Sequence, residues 1–243
     1  LSILKLWLGL RATVFWLGFL VSTLAYGLIT PLLALLAYEP RYQILVGWCR
    51  FNVWWLGVTC GVHYEIKGLE NIPTEHAAIL MANHQSTWET LAFATIFPPL
   101  TWVLKQELMK IPFFGWGLRL IKPVAIDRSA GRSAVDQVRN QGKERLDEGI
   151  WLVVFPEGTR VLPGVKAKYK IGGAVMAVAS EYPVVPVAHN AGASWPRHSY
   201  IKKPGTITVS IGEPIPSLGK APEVLMQEVE TWIETEKAKL VFH

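Results

Sequence analysis

Cysteine is nearly absent: Cys49 and Cys60 are the only two in 243 residues. They lie in one apolar region without CxxC spacing, which leaves no disulfide framework and marks them as reduced, structural side chains. No His, Cys and carboxylate cluster has ligand spacing, so no metal site is expected. There is no G-x-S-x-G elbow to expose a nucleophilic serine, no internal repeat and no low-complexity linker. Acidic residues are in deficit, 19 against 24 Lys and Arg, and the pI is near 9.2. The excess is modest, and with no basic helix or recognition motif it argues against nucleic acid as a partner. Much of it lies in Lys166, Lys168, Lys170, Arg197, Lys202 and Lys203. Such a set suits an anionic membrane surface or phosphate groups, or is simply a solvated basic face.

Charge is also missing locally, since residues 12–38 contain no charged side chain. The apolar run 14–37 would make a helix of about 36 Å, enough for a hydrocarbon core of about 30 Å. Pro31 should kink it, and the break Tyr38-Glu39-Pro40-Arg41 precedes a second apolar run, 44–62. Arg50 and Asn52 sit in that second run, where a charge is costly in lipid unless it reaches an interface. Pro31 and Arg50 favour a hairpin entering one leaflet over two full spans for residues 1–62, with Lys5 and Arg11 placing the amino-terminal flank on the cytoplasmic side. A buried globular hairpin is the alternative. A cleaved signal peptide is not expected, because the apolar region is too long and more apolar sequence follows it.

From residue 64 onward short β-rich runs alternate with helical stretches, the pattern of an α/β fold with a largely parallel sheet flanked by helices. The strands expected are 64–67, 77–82, 101–104, 124–126, 151–155, 184–188 and 206–211. Helices are expected over 87–96, 113–120, 131–148, 172–182 and 222–240. Gly149 is a natural left-handed stop for the third. The last places Leu225, Val229, Trp232 and Ile233 on one side and should pack on the sheet. Residues 63–243 thus form the α/β domain after the hairpin.

Two segments carry the chemistry. His84 follows the apolar run ILMAN, and a neutral imidazole is well matched to taking a proton from an alcohol near pH 7. Glu89, five residues on, could fix the tautomer of that imidazole and stabilise its charged form. It equally completes the S-x-x-E capping box of Ser86. The second segment, Phe155-Pro156-Glu157-Gly158-Thr159-Arg160, breaks a buried strand. Gly158 permits a tight turn whose amides could approach a ligand, and Arg160 offers a planar fork for two phosphate oxygens. Glu157 could hold that arginine, in a merely local ion pair or otherwise, or bind a hydroxyl. Both segments should open at one end of the sheet, where α/β folds collect ligands.

Asn83-His84-Gln85-Ser86-Thr87-Trp88-Glu89 and the hexapeptide FPEGTR resemble the NHxxxxD and FPEGTR blocks of glycerolipid acyltransferases, most closely the lysophosphatidate (1-acylglycerol-3-phosphate) acyltransferase family. Glu89 stands where that family usually has Asp. A third block, Gly117 to Arg128, resembles the family segment ending in hydrophobic–Asp–Arg, and Lys105 resembles a family lysine in a K-x-E-L context. Val184-Val185-Pro186-Val187 resembles a fourth block whose apolar character suggests lining for an acyl chain. The likeness runs from about residue 77 to 187, with a looser echo at Ile211-Gly212-Glu213-Pro214.

The resemblance implies transfer of an acyl chain from a thioester, carried by coenzyme A or acyl carrier protein, to the sn-2 hydroxyl of lysophosphatidate at the cytoplasmic face of a membrane (the inner membrane in a bacterium), with no cofactor. His84 and Glu89 would be catalytic; Arg128, Arg160, Lys105, Glu157, Gly158 and Thr159 would bind substrate. Glycerol-3-phosphate or a lyso-aminolipid as acceptor, a lipid-binding protein without catalysis, and a thioester hydrolase using His84 and water remain open as alternatives.

Overall fold

The computed structural model describes residues 3–126 and 132–240, without the side chains of 132–138. It opens with a hairpin of two long helices, α1 (Ile3–Leu33) and α2 (Tyr38–Cys60). α1 takes in Lys5 and Arg11 and so starts well before the uncharged run, while Pro31 occupies its last turn. The break falls at 34–37 rather than 38–41. Pro40 lies in the first turn of α2, where a missing N–H costs nothing because that group has no intrahelical partner anyway.

The two helices are antiparallel and closely packed. The Arg11 guanidinium donates to the Thr59 carbonyl, and Asn52 bridges to Ser22 while bonding the Trp48 carbonyl at 2.8 Å. Asn52 is thus a satisfied buried amide. At Gly18 a Cβ would fall inside the indole of Trp55, so the absence of a side chain sets the approach of the helices.

The sheet has the seven strands expected among the described residues: β1 (Val62–Lys67), β2 (Ile79–Ala82), β3 (Leu100–Lys105), β4 (Val124–Ile126), β5 (Trp151–Val154), β6 (Val184–His189) and β7 (Gly205–Ile211). Their order is β1-β7-β6-β2-β5-β3-β4. All neighbours are parallel except β6 and β7. The central strands β2 and β5 are buried along their whole length, as parallel strands covered on both faces must be.

Helices α3 (Trp88–Ile96), α4 (Phe114–Leu120), α5 (Arg132–Asp147), α6 (Gly172–Ser180), the short α7 (Ala191–Ser194) and α8 (Pro222–Lys239) complete the fold. Gly149 stops the chain after α5 with φ 78, and α8 buries Leu225, Val229 and Ile233 against β6. The hydrophobic core does not stop at the hairpin: Phe15, Tyr42, Val46 and Leu56 belong to the same buried cluster as β2, β5 and β6. The other face of α1 is bare. Leu6, Trp7, Leu10, Leu17, Leu20, Val21, Leu28 and Leu32 are all exposed there, and α1 is long and apolar enough to cross a membrane.

Candidate active site

Strand order decides which residues meet. β6, β2, β5 and β3 are consecutive and parallel, so their carboxyl ends open on one edge. His84 follows β2, Phe155 to Arg160 follow β5, Lys105 ends β3, and β6 leads through α7 to Arg197 and His198. Asn83 stitches β2 to β6 beyond the regular ladder: its amide donates to the His189 carbonyl at 3.0 Å and its side-chain oxygen accepts the His189 amide at 2.9 Å.

His84 is held from both ends. Its Nδ1–H donates to Glu89 Oε1 at 2.8 Å, its ring stacks on Phe155 with centroids 4.0 Å apart, and its carbonyl accepts the Val161 amide at 2.7 Å. With Nδ1 the donor, Nε2 carries the lone pair, the tautomer a general base needs. Glu89 Oε1 also accepts the amides of Gln85 and Ser86 at 2.9 and 2.7 Å, and Ser86 Oγ accepts the Trp88 amide at 3.1 Å. The two readings of Glu89 are therefore one arrangement: the carboxylate that caps α3 orients the imidazole. Ser86 is buried, with its hydroxyl oxygen engaged at the start of α3.

Glu89 is 0% exposed. Burial alone would raise its carboxyl, but the imidazoles of His189 and His84 and the Ser86 amide outweigh burial and hold it below the usual range. His189 is pushed down by burial. Its Nε2–H donates to the Asn83 carbonyl at 2.7 Å and its Nδ1 accepts the Ala191 amide at 3.3 Å.

Glu157 turns inward. At 4% exposure it accepts the His84 amide on Oε2 at 2.8 Å, lies 3.9 Å from Lys237 Nζ and is absent from the cavity wall. Burial drives its carboxyl up to about 7. Gly158, at φ 68, closes the turn with its amide on the Phe155 carbonyl at 2.9 Å. The structure thus puts Glu157 behind the histidine and gives Gly158 the turn itself.

A cavity of about 1060 Å³ joins these groups. At one end it is lined by His84, Thr159, Arg160 and Lys105, together with Lys170, Arg197 and His198. Among the described residues the buried Arg160 Nε has no hydrogen-bond partner, and Arg197 donates to the Arg160 carbonyl at 2.7 Å. The rest of its lining is largely apolar and comes from the hairpin, α3, β3 and the α4 region, with Phe19, Trp48, Leu91, Phe113, Phe114 and Leu118 among it. Val184 to Val187 do not reach it; they are the fully buried middle of the sheet. Arg128 lies outside the described residues. Lys202, grouped by sequence with a basic surface, is 1% exposed and enclosed by aromatic rings. The cavity positions of Lys170 and Arg197 have no local signature beyond their charge, because each is set by contacts distant in sequence.

The profile described as Acyltransferase matches residues 63–190. A 1-acyl-sn-glycerol-3-phosphate acyltransferase of Pseudomonas aeruginosa is 42% identical over 237 residues, covering 96% of this chain and 92% of the relative. Its counterpart in Saccharomyces cerevisiae is 32% identical over 169 residues, 67% of this chain and 54% of that protein. The crystal structure of the 1-acyl-sn-glycerophosphate acyltransferase PlsC from Thermotoga maritima matches with a TM-score of 0.79 at 25% identity, covering 96% of this chain and 97% of that one. A likeness of that extent takes in the hairpin as well as the sheet. With the histidine, its carboxylate and the FPEGTR turn at the edge where the matched region converges, the chain belongs to the acyltransferase family.

Proposed function

We propose that this protein transfers an acyl chain from an acyl thioester to the sn-2 hydroxyl of 1-acylglycerol-3-phosphate, giving phosphatidate for phospholipid synthesis. The observation that carries this reading is one cavity lined both by cationic side chains grouped near His84 and by apolar side chains of the hairpin, which matches an acceptor with a phosphate at one end and a hydrocarbon chain at the other. Arg160 and Lys105 hold the phosphate, Arg160 with an Nε that has no partner among the described residues and a fork suited to two oxygens. The hydroxyl then lies within reach of His84 Nε2.

As the hydroxyl oxygen attacks the thioester carbonyl, Nε2 takes its proton, and Glu89 stabilises the imidazolium so formed. Collapse of the tetrahedral intermediate breaks the C–S bond and expels a thiolate. A thiol pKa of about 8.5 makes that departure undemanding, and the imidazolium can return the proton to sulfur. The thioester arrives on coenzyme A or acyl carrier protein, and no cofactor enters the chemistry.

Residues 1–62 serve as the membrane-associated hairpin and 63–243 as the acyltransferase domain. The bare apolar face of α1 enters one leaflet, while Arg50, exposed and bonded to Gln43, keeps α2 near the interface. Lys5 and Arg11 favour the cytoplasmic leaflet, and Lys168 and Lys203, both exposed, favour an anionic surface. The hairpin also walls the cavity, so its removal would cost the acyl site as well as the anchor.

The test is thiol release from a palmitoyl thioester by the purified full-length protein, with lysophosphatidate, glycerol-3-phosphate or no acceptor. Release is expected only with lysophosphatidate and should fall by about 10³-fold or more in His84→Ala. Release without an acceptor would make the protein a thioester hydrolase. Release with glycerol-3-phosphate alone would move the reaction to that acceptor.

A further inference from the structure

Residues 195–204 leave α7 and return to β7. Near its start this loop brings Arg197 and His198 into the wall of the cavity, with His198 in the left-handed region at φ 57. Near its end lies Lys202, the one lysine among the largest fully buried side chains. Its ammonium donates to the carbonyls of Ser199 and Tyr200 at 3.0 and 2.8 Å. It stands 4.3 Å from the ring centroid of Trp16, 4.7 Å from Trp195 and 5.7 Å from Phe15. Burial lowers it to about 8, and a desolvated cation over indole faces is where such attraction is strongest.

Two of the three rings belong to α1. The same helix takes hold of the loop twice more: Trp16 Nε1–H donates to the Tyr200 carbonyl at 3.2 Å, and the Tyr200 hydroxyl donates to Thr13 Oγ1 at 2.8 Å. Edge-on contacts of Phe15 and Trp16 with Trp195, at 5.2 and 5.8 Å, close the cage. At the opposite end Arg197 donates to the Arg160 carbonyl at 2.7 Å. An unbroken line of contacts therefore runs from the amino-terminal helix, through a caged ammonium, to the arginine assigned to the phosphate.

We propose that Lys202 is a positioning residue for headgroup recognition: caged between α1 and Trp195, it fixes the loop so that Arg197 joins Arg160 at the cationic end of the cavity. The seating of α1 then sets how well that end holds its anion. This rests on the reading of that end as the phosphate site. A residue used only for stability would have no reason to act selectively on acceptor affinity.

The experiment uses full-length wild type, Lys202→Met, Arg197→Ala and the double variant in vesicles, with palmitoyl thioester and graded lysophosphatidate. Lys202→Met is expected to raise KM for lysophosphatidate about tenfold, with kcat within about twofold of wild type. The double variant should be no worse than Arg197→Ala, because both changes disable one element. Amide exchange over 197–203 should quicken in Lys202→Met, a readout that needs no turnover. If Lys202→Met does not fold, Trp16→Leu, which removes one face of the cage from the helix side, carries the same readouts. Unchanged KM, or effects that multiply in the double variant, would overturn the proposal. Should the wild type leave lysophosphatidate unacylated, the phosphate reading has failed, and the exchange data alone decide whether Lys202 holds the loop.

Discussion

Glu89 and Glu157 both bond to His84 and are both withdrawn from solvent, yet they are pushed in opposite directions. Glu89 offers one oxygen to three donors, the imidazole and two amides, and is held below the ordinary carboxylate range. Glu157 has one amide on one oxygen and the Lys237 ammonium at 3.9 Å from the other, and it rises to about 7. The desolvation penalty acts on both; what differs is the surroundings, because Glu89 faces the His189 and His84 imidazoles as well as amide donors, whereas Glu157 has one amide and the Lys237 ammonium set against the carboxylates of Glu234 and Glu89. The difference also separates two roles. Glu89 meets the imidazole itself, whereas Glu157 meets only the backbone that carries it.

The change that should do most damage is therefore Glu89→Gln. An amide oxygen can still accept from Gln85 and Ser86, so the cap on α3 survives, but the imidazolium formed in the reaction loses its anionic partner. A fall in kcat of roughly 10²–10³ is expected with little change in KM, read by thiol release beside circular dichroism. Turnover equal to wild type would reduce Glu89 to a cap and dissolve the contrast.

Next comes Glu157→Ala, which leaves the His84 amide buried and unpaired, a loss of about 1–3 kcal/mol. A fall in activity of about tenfold is expected, because the histidine loop relaxes while its catalytic groups stay intact. Glu157→Gln keeps an acceptor for that amide and should stay within about threefold of wild type. If Gln and Ala behaved alike, the ionised carboxylate would be at work on the reaction and the division of labour would be wrong.

These roles were unequally visible in the chain. The strands were legible because short β-rich runs between turn residues leave little choice, and with β2 and β5 adjacent, His84 and Arg160 had to share an edge. The hairpin was legible as apolarity but not in its boundaries, since Pro40 reads as a breaker and yet sits without cost in a first helical turn. Glu89 was seen with both of its functions, and only the coordinates make them one carboxylate. The inward turn of Glu157 had no local cue: its partners His84 and Lys237 lie some 70 to 80 residues away on either side. Arg197 and Lys202 were counted as surface charge for the same reason, their settings being made by α1 and the Arg160 loop. The sequence suggests the acyl lining in Val184 to Val187, a pattern that a buried strand explains equally well; those residues are buried in the sheet, and the apolar side chains that line the cavity include several from the hairpin.

The smallest effect on turnover, and the sharpest test of the comparison, lies in stability against pH. Glu157 has a folded value near 7 against an ordinary 4.5, so between those limits the folded state binds more protons than the unfolded one. Stability from this group accordingly declines as pH rises from about 4.5 to about 7, by up to about 3 kcal/mol, and is level above that. Glu89 has the opposite sign: its folded value is depressed, so its contribution is present above 4.5 and is lost as pH falls through the lower folded value. Denaturant melts of wild type, Glu157→Gln and Glu89→Gln across pH 3–8 separate the two. Any constant cost of burying a Gln amide shifts a curve without tilting it, so the slope is the readout. As pH rises, Glu157→Gln should gain on wild type only between about 4.5 and 7, whereas Glu89→Gln should trail wild type above 4.5 and draw level with it only as pH falls to the acid end, where wild type loses the Glu89 contribution. A Glu157→Gln curve parallel to wild type through neutrality would mean that Glu157 is charged throughout, with Lys237 close enough to substitute for the missing donors.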